Sequence, residues 1–370
     1  MQIYVIQPGD TLWNIAQEYQ SSVEDIVDAN GLFDSNQITV GQAIVIPIVG
    51  QFYFVQPGDS LWSISNRYQI DYQVLAEVNQ LSTQQPLQVG MRLYIPEGSK
   101  QEIESNAYIE PLGDTVSETL LENARNVGRY LTYLAPFSYE ARRDGTLDPQ
   151  PLNGIPEIAS ETGSSLMMVI TNLEGGQFSG ELAAEILQSE ETQDTLLNQI
   201  LEEATRVGYR DIHFDFEFLP SDQREAYNQF LRKAAERIHE QGLLISTALA
   251  PKTRADQPGQ WYEAHDYRTH GEIVDFVVLM TYEWGYSGGP PMAVSPIGPV
   301  EEVVQYALTE MPSEKIMLGQ NLYGYDWTLP FEPGGEYAEA LSPQEAVRRA
   351  GEYQVPIQYD SESQAPFFNM

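Results

Sequence analysis

Four ionisable residues at alternate positions, Asp211, His213, Asp215 and Glu217, lie within the run Gly208-Tyr-Arg-Asp-Ile-His-Phe-Asp-Phe-Glu-Phe-Leu219. Ile212, Phe214, Phe216 and Phe218 fill the other parity, so a strand here has one charged face and one aromatic face. Large aromatics at three of the four apolar positions predict deep burial against helices, which turns the charged face toward an enclosed space. Ionisable groups are costly to bury together unless they are paired or used, so the pattern predicts a site. Residues two apart on a strand lie about 7 Å apart at Cα and lean the same way, which makes Asp215 and Glu217 neighbours on one wall. Desolvation and the adjacent charge would raise the pKa of one of them, leaving it a proton to give near neutral pH. Glu217, at the C-terminal end, is the better placed donor; Asp215, one layer deeper, is the better orienter.

The elements that must position these groups alternate in type. Strand-like segments at Ala107–Glu110, Leu131–Phe137, Leu166–Thr171, the signature run, Leu243–Leu249, Val274–Thr281 and Ile316–Leu322 are separated by helical sequence, including a long stretch over 181–207 and another over 221–241. This is the pattern of a parallel α/β barrel, with reactive groups at the C-terminal strand ends. Met280-Thr281-Tyr282 closes the sixth strand and Glu283-Trp284-Gly285-Tyr286 follows; the seventh leads into Gln320-Asn321-Leu-Tyr323-Gly-Tyr325-Asp-Trp327. Aromatic faces with amides suit a glycan cleft, so Met280, Trp284, Gln320, Asn321, Tyr323 and Tyr325 are candidate substrate contacts. A partner interface is the other reading of such aromatic loops.

The run Asp211-Ile-His-Phe-Asp-Phe-Glu217 resembles the fourth-strand signature of family 18 glycoside hydrolases, with His213 standing where that family carries Asp or Asn. The resemblance implies substrate-assisted retention. In that scheme Glu217 is acid and then base, Asp215 holds the substrate acetamido N–H, and Tyr282 aligns the acetamido oxygen.

Residues 1–96 are a gapless duplication at an offset of 49: Tyr4-Val-Ile-Gln-Pro-Gly-Asp-Thr-Leu-Trp13 recurs as Tyr53-Phe-Val-Gln-Pro-Gly-Asp-Ser-Leu-Trp62, and Asn30 matches Asn79. Each repeat reads strand, helix, helix, strand, with Asp and the following Thr or Ser capping the first helix. The repeats resemble LysM modules, which bind N-acetylglucosamine-containing glycans. By motif match their groove residues are Gly9, Asp10, Thr11 and Asn30, then Gly58, Asp59, Ser60 and Asn79. Helix capping is the competing reading for Asp10 and Asp59, and Trp13 and Trp62 are expected in the core. The expected organisation is a repeat over 1–48, a repeat over 49–97, a linker over 98–106 and the barrel over 107–370.

A formal charge of −35, from 54 acidic and 19 basic residues, argues against nucleic acid and anionic membrane surfaces as partners. No run of 18 apolar residues suggests a membrane span. With no Cys, and four His at positions 213, 239, 265 and 270 that lack ligand spacing, no metal and no cofactor are expected.

The LysM pair, Tyr133-Leu-Ala-Pro-Phe-Ser-Tyr139 and Met280-Thr-Tyr-Glu-Trp-Gly-Tyr-Ser-Gly-Gly-Pro-Pro291 together resemble the cortical fragment-lytic N-acetylglucosaminidases of spore-forming bacteria. That resemblance implies a cortex peptidoglycan substrate and deposition in the spore coat without a classical signal. A catalytically inactive glycan binder, a coat assembly component and a chitinase-like hydrolase are the alternatives. One helix (Pro343 to Tyr353) and an extended segment (Pro356 to Met370) follow the seventh strand, so an eighth strand is expected to be missing and the chain to be a C-terminally incomplete version of a longer one. The acidity generates a prediction of its own. Salt that screens carboxylate repulsion, with a Debye length of ~3 Å near 1 M, is expected to raise the melting temperature, and a fall with added sodium chloride would contradict it.

Overall fold

A computed structural model describes the chain except for residues 33–37, 85, 98–101 and 112, so part of the linker expected over 98–106 lies outside the described residues. The chain divides into two compact units: Ile103–Asn321 with Leu329–Tyr337, and Met1–Glu102 with Leu322–Thr328 and Ala338–Met370.

The unit containing the signature run is built on seven parallel strands, Asn106–Ile109, Tyr133–Pro136, Ser165–Thr171, Asp211–Asp215, Leu244–Leu249, Phe276–Leu279 and Ile316–Leu318. They pair in chain order from first to seventh, as in a (β/α)8-type barrel. Near-continuous apolar sequence marks the inner strands, because helices cover one face and the site side covers the other. The fourth strand lies between the third and fifth, with Asp215 opposite Thr171 and Phe214 opposite both Ile170 and Thr247.

The aromatic parity of the signature run meets helix Arg224–Glu240. Phe214 packs edge-on to Phe230 at 5.3 Å between ring centres, and Phe216 stacks against Tyr227 and Phe230 at 5.8 and 6.3 Å. Phe218 departs from the expected pattern: the strand ends at Asp215, Phe218 takes a left-handed φ of 55°, and its ring is partly exposed. The stretch over 181–207 is two helices, Gly180–Gln188 and Glu190–Val207. Extended Ser189 ends the first and caps the second by accepting the Thr192 N–H. The second stops at Gly208, whose φ of 92° lets its N–H reach the Ala204 carbonyl and delivers the chain to the fourth strand within three residues. The sixth and seventh strands are shorter than the sequence suggests. Beyond their ends Thr281 Oγ1 donates to the Gly319 carbonyl at 2.7 Å, a side-chain link in place of the ladder.

In the other unit each repeat closes an antiparallel pair, Gln2–Val5 with Ala43–Ile46 and Gln51–Phe54 with Arg92–Ile95, over two short helices. The small cores are equivalent at the offset of 49: Leu12, Ile15, Ile26, Ile44 and Ile46 in one, Leu61, Ile64, Leu75, Leu93 and Ile95 in the other. Trp13 and Trp62 do not join them. They are 64% and 67% exposed, because helix residues one place after Leu12 and Leu61 point about 100° away from the stripe of Leu, Ile and Tyr that faces the core. Residues 356–370 are not simply extended; Gln358–Asp360 and Ala365–Phe367 form a hairpin. The Ile357 N–H donates to the Val40 carbonyl at 3.0 Å, and a Cβ on Gly41 would meet the Ile357 oxygen at 1.9 Å. Gly41 is therefore required for this close approach as well as for its φ of 86°.

Phe216 is fully buried among rings. Phe216→Ala is expected to cost about 3–5 kcal/mol of stability, read as a lowered denaturation midpoint at unchanged slope.

Candidate active site

The charged parity of the signature run is buried throughout. Asp211 and His213 have no measurable exposure, and Asp215 and Glu217 retain 6% and 7%. Burial followed by the Asp215 charge holds the Glu217 carboxyl well above the ordinary range. Burial lifts Asp215 to about 7. Two neighbouring carboxyls in so dry a site cannot both ionise cheaply near neutral pH, so the pair retains a transferable proton.

Glu217 lies two residues past the strand, where ladder partners have run out. Asn172, at the end of the third strand, replaces them: its Oδ1 accepts the Glu217 N–H at 2.9 Å, and its Nδ2 donates to the Glu217 carbonyl at 2.9 Å and to Ser179 at 3.0 Å. On the other side the Trp261 indole N–H donates to Glu217 Oε2. Neither residue was identified from the sequence. They are 45 and 44 positions from Glu217, and neither stands in a patterned motif.

Deeper in, His213 links Tyr108 and Ser246. Its Nε2 lies 3.0 Å from the Tyr108 hydroxyl and its Nδ1 2.7 Å from Ser246 Oγ, which donates to Asp211 Oδ2 at 2.6 Å. Burial pulls the His213 pKa to about 3, so the ring is neutral, with one nitrogen donating and the other accepting. His213 and Asp211 thus form a buried polar support beneath Asp215.

Tyr282 is half-buried at the end of the sixth strand. Burial, then the charges of Asp215 and Glu217, raise its phenol and keep it protonated as a donor. Its ring also fills the space over Gly319, where a Cβ would come within 2.7 Å. Met280 is buried with Ala248 and Ala250, packed by Trp261, Tyr262 and Tyr282. Trp284 packs against the main core of this unit. Gln320 Nε2 donates to Asn321 Oδ1 at 3.0 Å. Tyr323 and Tyr325 belong to the other unit, where their rings lie 5.7 Å apart and Trp327 continues the edge-on series. Among the described residues no three His, Asp or Glu side chains are grouped to hold a metal ion.

In the repeats, Thr11 and Ser60 are the helix caps, accepting the Asn14 and Ser63 N–H groups. This corrects the assignment of capping to Asp10 and Asp59, which act one turn earlier. Asp10 accepts from the Tyr4 hydroxyl and the Gln7 N–H, both at 2.7 Å, and Asp59 accepts from Tyr53 and Gln56 at 2.6 and 2.7 Å. Gly9 and Gly58 complete these turns with φ near 90°. Asn30 and Asn79 spend both side-chain functions internally, pairing with the Val45 and Tyr94 backbone groups and donating back to their own helices.

The model of the LysM domain matches residues 4–47 and 53–96, and that of glycosyl hydrolases family 18 matches residues 137–369. The chain is 64% identical over 368 residues to the cortical fragment-lytic enzyme of Bacillus subtilis (strain 168), covering all of this chain and 85% of that one. The crystal structure of the spore cortex-lytic enzyme SleL of Bacillus megaterium QM B1551 superposes with a TM-score of 0.88 at 48% identity, covering 99% of this chain and 85% of that one. A chitinase from Chromobacterium violaceum, at 19% identity and a TM-score of 0.64 over 72% of this chain and 81% of its own, shares the fold.

The raised Asp215 carboxyl has a consequence for stability. A folded-state pKa above the unfolded value favours folding at low pH and loses that contribution as pH climbs from about 4 through about 7. Asp215→Asn is therefore expected to melt higher than the parent protein at pH 8, by roughly 1–4 kcal/mol of stability, with the difference vanishing near pH 4. Equal melting temperatures at pH 8 would contradict the placement of a charged Asp215 in a dry site.

Proposed function

Because the chain belongs to glycosyl hydrolases family 18, we propose that it cleaves spore cortex peptidoglycan or its fragments after N-acetylglucosamine, with Glu217 as the acid and base. The observation that carries this reading is the adjacent pair Asp215 and Glu217, both buried and both protonated more readily than ordinary carboxyls, with the Tyr282 phenol beside them. The chain is a glycoside hydrolase, and its two LysM domains suit a glycan substrate built on N-acetylglucosamine. The cortex as source is supported by the relatives, which carry that activity in their names and align over all or nearly all of this chain. Deposition in the spore coat is the matching location.

In the proposed mechanism Glu217 gives its proton to the leaving glycosidic oxygen. The 2-acetamido carbonyl of the substrate attacks the anomeric carbon and closes an oxazolinium-type ring. Asp215 accepts the acetamido N–H and balances the positive charge that develops, while Tyr282 donates to the acetamido oxygen and sets its line of attack. Water, deprotonated by Glu217, opens the ring with overall retention. Side-by-side carboxyls suit this route, because neither has to stand on the far face of the sugar as a nucleophile. Met280, Trp284, Gln320 and Asn321 are proposed substrate contacts of the catalytic unit, and Tyr323 and Tyr325 are proposed glycan contacts of the other unit. Gly9, Asp10, Thr11, Asn30 and their counterparts Gly58, Asp59, Ser60 and Asn79 frame the proposed glycan grooves of the repeats. There Asp10, Asp59, Asn30 and Asn79 shape the turns, leaving backbone groups and neighbouring side chains for the sugar.

Release of reducing ends from cortex fragments tests the reading. Glu217→Gln, nearly isosteric, is expected to lower turnover by about 10²- to 10⁴-fold without loss of glycan binding. De-N-acetylated fragments are expected to be inert with the unsubstituted protein. Wild-type turnover by Glu217→Gln, or equal cleavage of de-N-acetylated glycan, would overturn it.

A further inference from the structure

The loop between the fifth strand and helix Tyr267–Ile273 reaches Glu217 from the side opposite Asn172, and its base is anchored by a buried cation. Lys252 is fully buried, and its ammonium donates to the carbonyls of Ala255 at 3.0 Å and His265 at 2.9 Å. The Lys252 N–H donates to the Tyr267 hydroxyl at 3.0 Å, and that hydroxyl donates to the Ala250 carbonyl at 2.7 Å. His265 accepts the Ala250 N–H on Nδ1 at 2.8 Å and donates from Nε2 to the Phe216 carbonyl at 2.9 Å, a tautomer dictated by those two partners. So many buried polar groups satisfied by one another make this loop base rigid.

The tip of the loop holds the next two residues of the signature run. Gln260 Nε2 donates to the Phe218 carbonyl at 3.1 Å, and the Trp261 ring lies nearly parallel to Phe218, with centres 6.1 Å apart and planes 14° apart. The Trp261 indole N–H meets Glu217 Oε2. Phe216, Glu217 and Phe218 are thus each gripped from one loop, while Asn172 holds the Glu217 backbone from the other side.

Indole N–H is a donor and never an acceptor, so an Oε2 that faces it must present a lone pair. A proton carried by Glu217 therefore sits on the other oxygen. We propose that Trp261 is a positioning residue for the hydrolytic reaction: its N–H occupies Oε2, confines the transferable proton of Glu217 to Oε1, and so decides which oxygen meets the leaving group. The inference rests on the reading of Glu217 as the acid. It assigns the Lys252-anchored loop, which packs its tip beside Met280 and Tyr282, the task of aiming that acid. The N–H also stabilises the ionised carboxylate that must act as base in the second half-reaction.

Trp261→Phe keeps a ring over Phe218 and removes only the donor. Turnover on cortex fragments is expected to fall about tenfold with KM within about twofold, because a donor to a charged group is worth roughly one pH unit of carboxyl acidity. For the same reason the basic limb of the kcat profile is expected to move up by about one pH unit, since losing the donor costs the ionised carboxylate more than it costs the neutral acid. A merely packing role leaves that limb in place. An independent readout uses the unsubstituted protein: tryptophan emission followed against pH is expected to show a step that disappears in Glu217→Gln. An unchanged kcat and pH profile in Trp261→Phe, or an emission titration identical in the parent and Glu217→Gln, would overturn the inference. Inactive Glu217→Gln beside unaltered Trp261→Phe removes the inference alone, whereas active Glu217→Gln removes the assignment of the acid itself.

Discussion

Keeping two carboxyl groups side by side in a nearly dry pocket is the constraint to which the catalytic unit answers. Each unit of pKa displacement is about 1.4 kcal/mol of preference for the neutral form, and that cost has to be offset by packing elsewhere. The offset begins on the same strand. Every second residue from Ile212 to Phe216 is apolar and buried, and its rings interlock with Tyr227 and Phe230 of the covering helix. The aromatic face therefore supplies the stability that the charged face gives up, within a span of seven residues.

Orientation is a separate problem, because Glu217 lies beyond the last ladder pair. A residue past a strand end would ordinarily be free to turn, and Phe218, with its left-handed backbone, shows the chain already leaving the sheet. The Asn172 amide pairs with both backbone groups of Glu217 as a strand neighbour would, while the loop over 250–266 approaches the side chain. Beneath them the neutral His213 bridges Tyr108 and the Ser246–Asp211 pair, so the floor under Asp215 is linked by hydrogen bonds and adds no positive charge that would ionise it prematurely.

The repeats solve a smaller version of the same problem. A unit of about 45 residues has little core, and side-chain hydrogen bonds close it: Asn30 and Asn79 tie the second helix to the returning strand, and Asp10 and Asp59 lock the Pro-Gly turn to a Tyr on the first strand. That these links recur at the same offset explains why the motif residues are polar yet engaged.

Local periodicity was enough to read the strand with its two faces, the raised pKa of its carboxyl pair, the alternating parallel architecture and the duplicated modules, because each of these shows in the order of neighbouring residues. The same reasoning misplaced Trp13, Trp62 and Phe218: a hydrophobic side chain near an amphipathic stripe is sorted in or out by about 100° of helix rotation or by where a strand stops, and neither is written in composition. Asn172, Trp261 and Lys252 carried no signal in the sequence. Their importance arises only when the chain brings together groups more than 40 positions apart, as at Asn172 and Trp261, or buries a Lys against carbonyls of its own loop. Which groups hold a transferable proton was set first by burial, legible in the aromatic parity of the strand, and then by the adjacent carboxyl, whereas the direction in which the acid points was decided by long-range hydrogen bonds, since backbone beyond a strand end has no local partner to orient it.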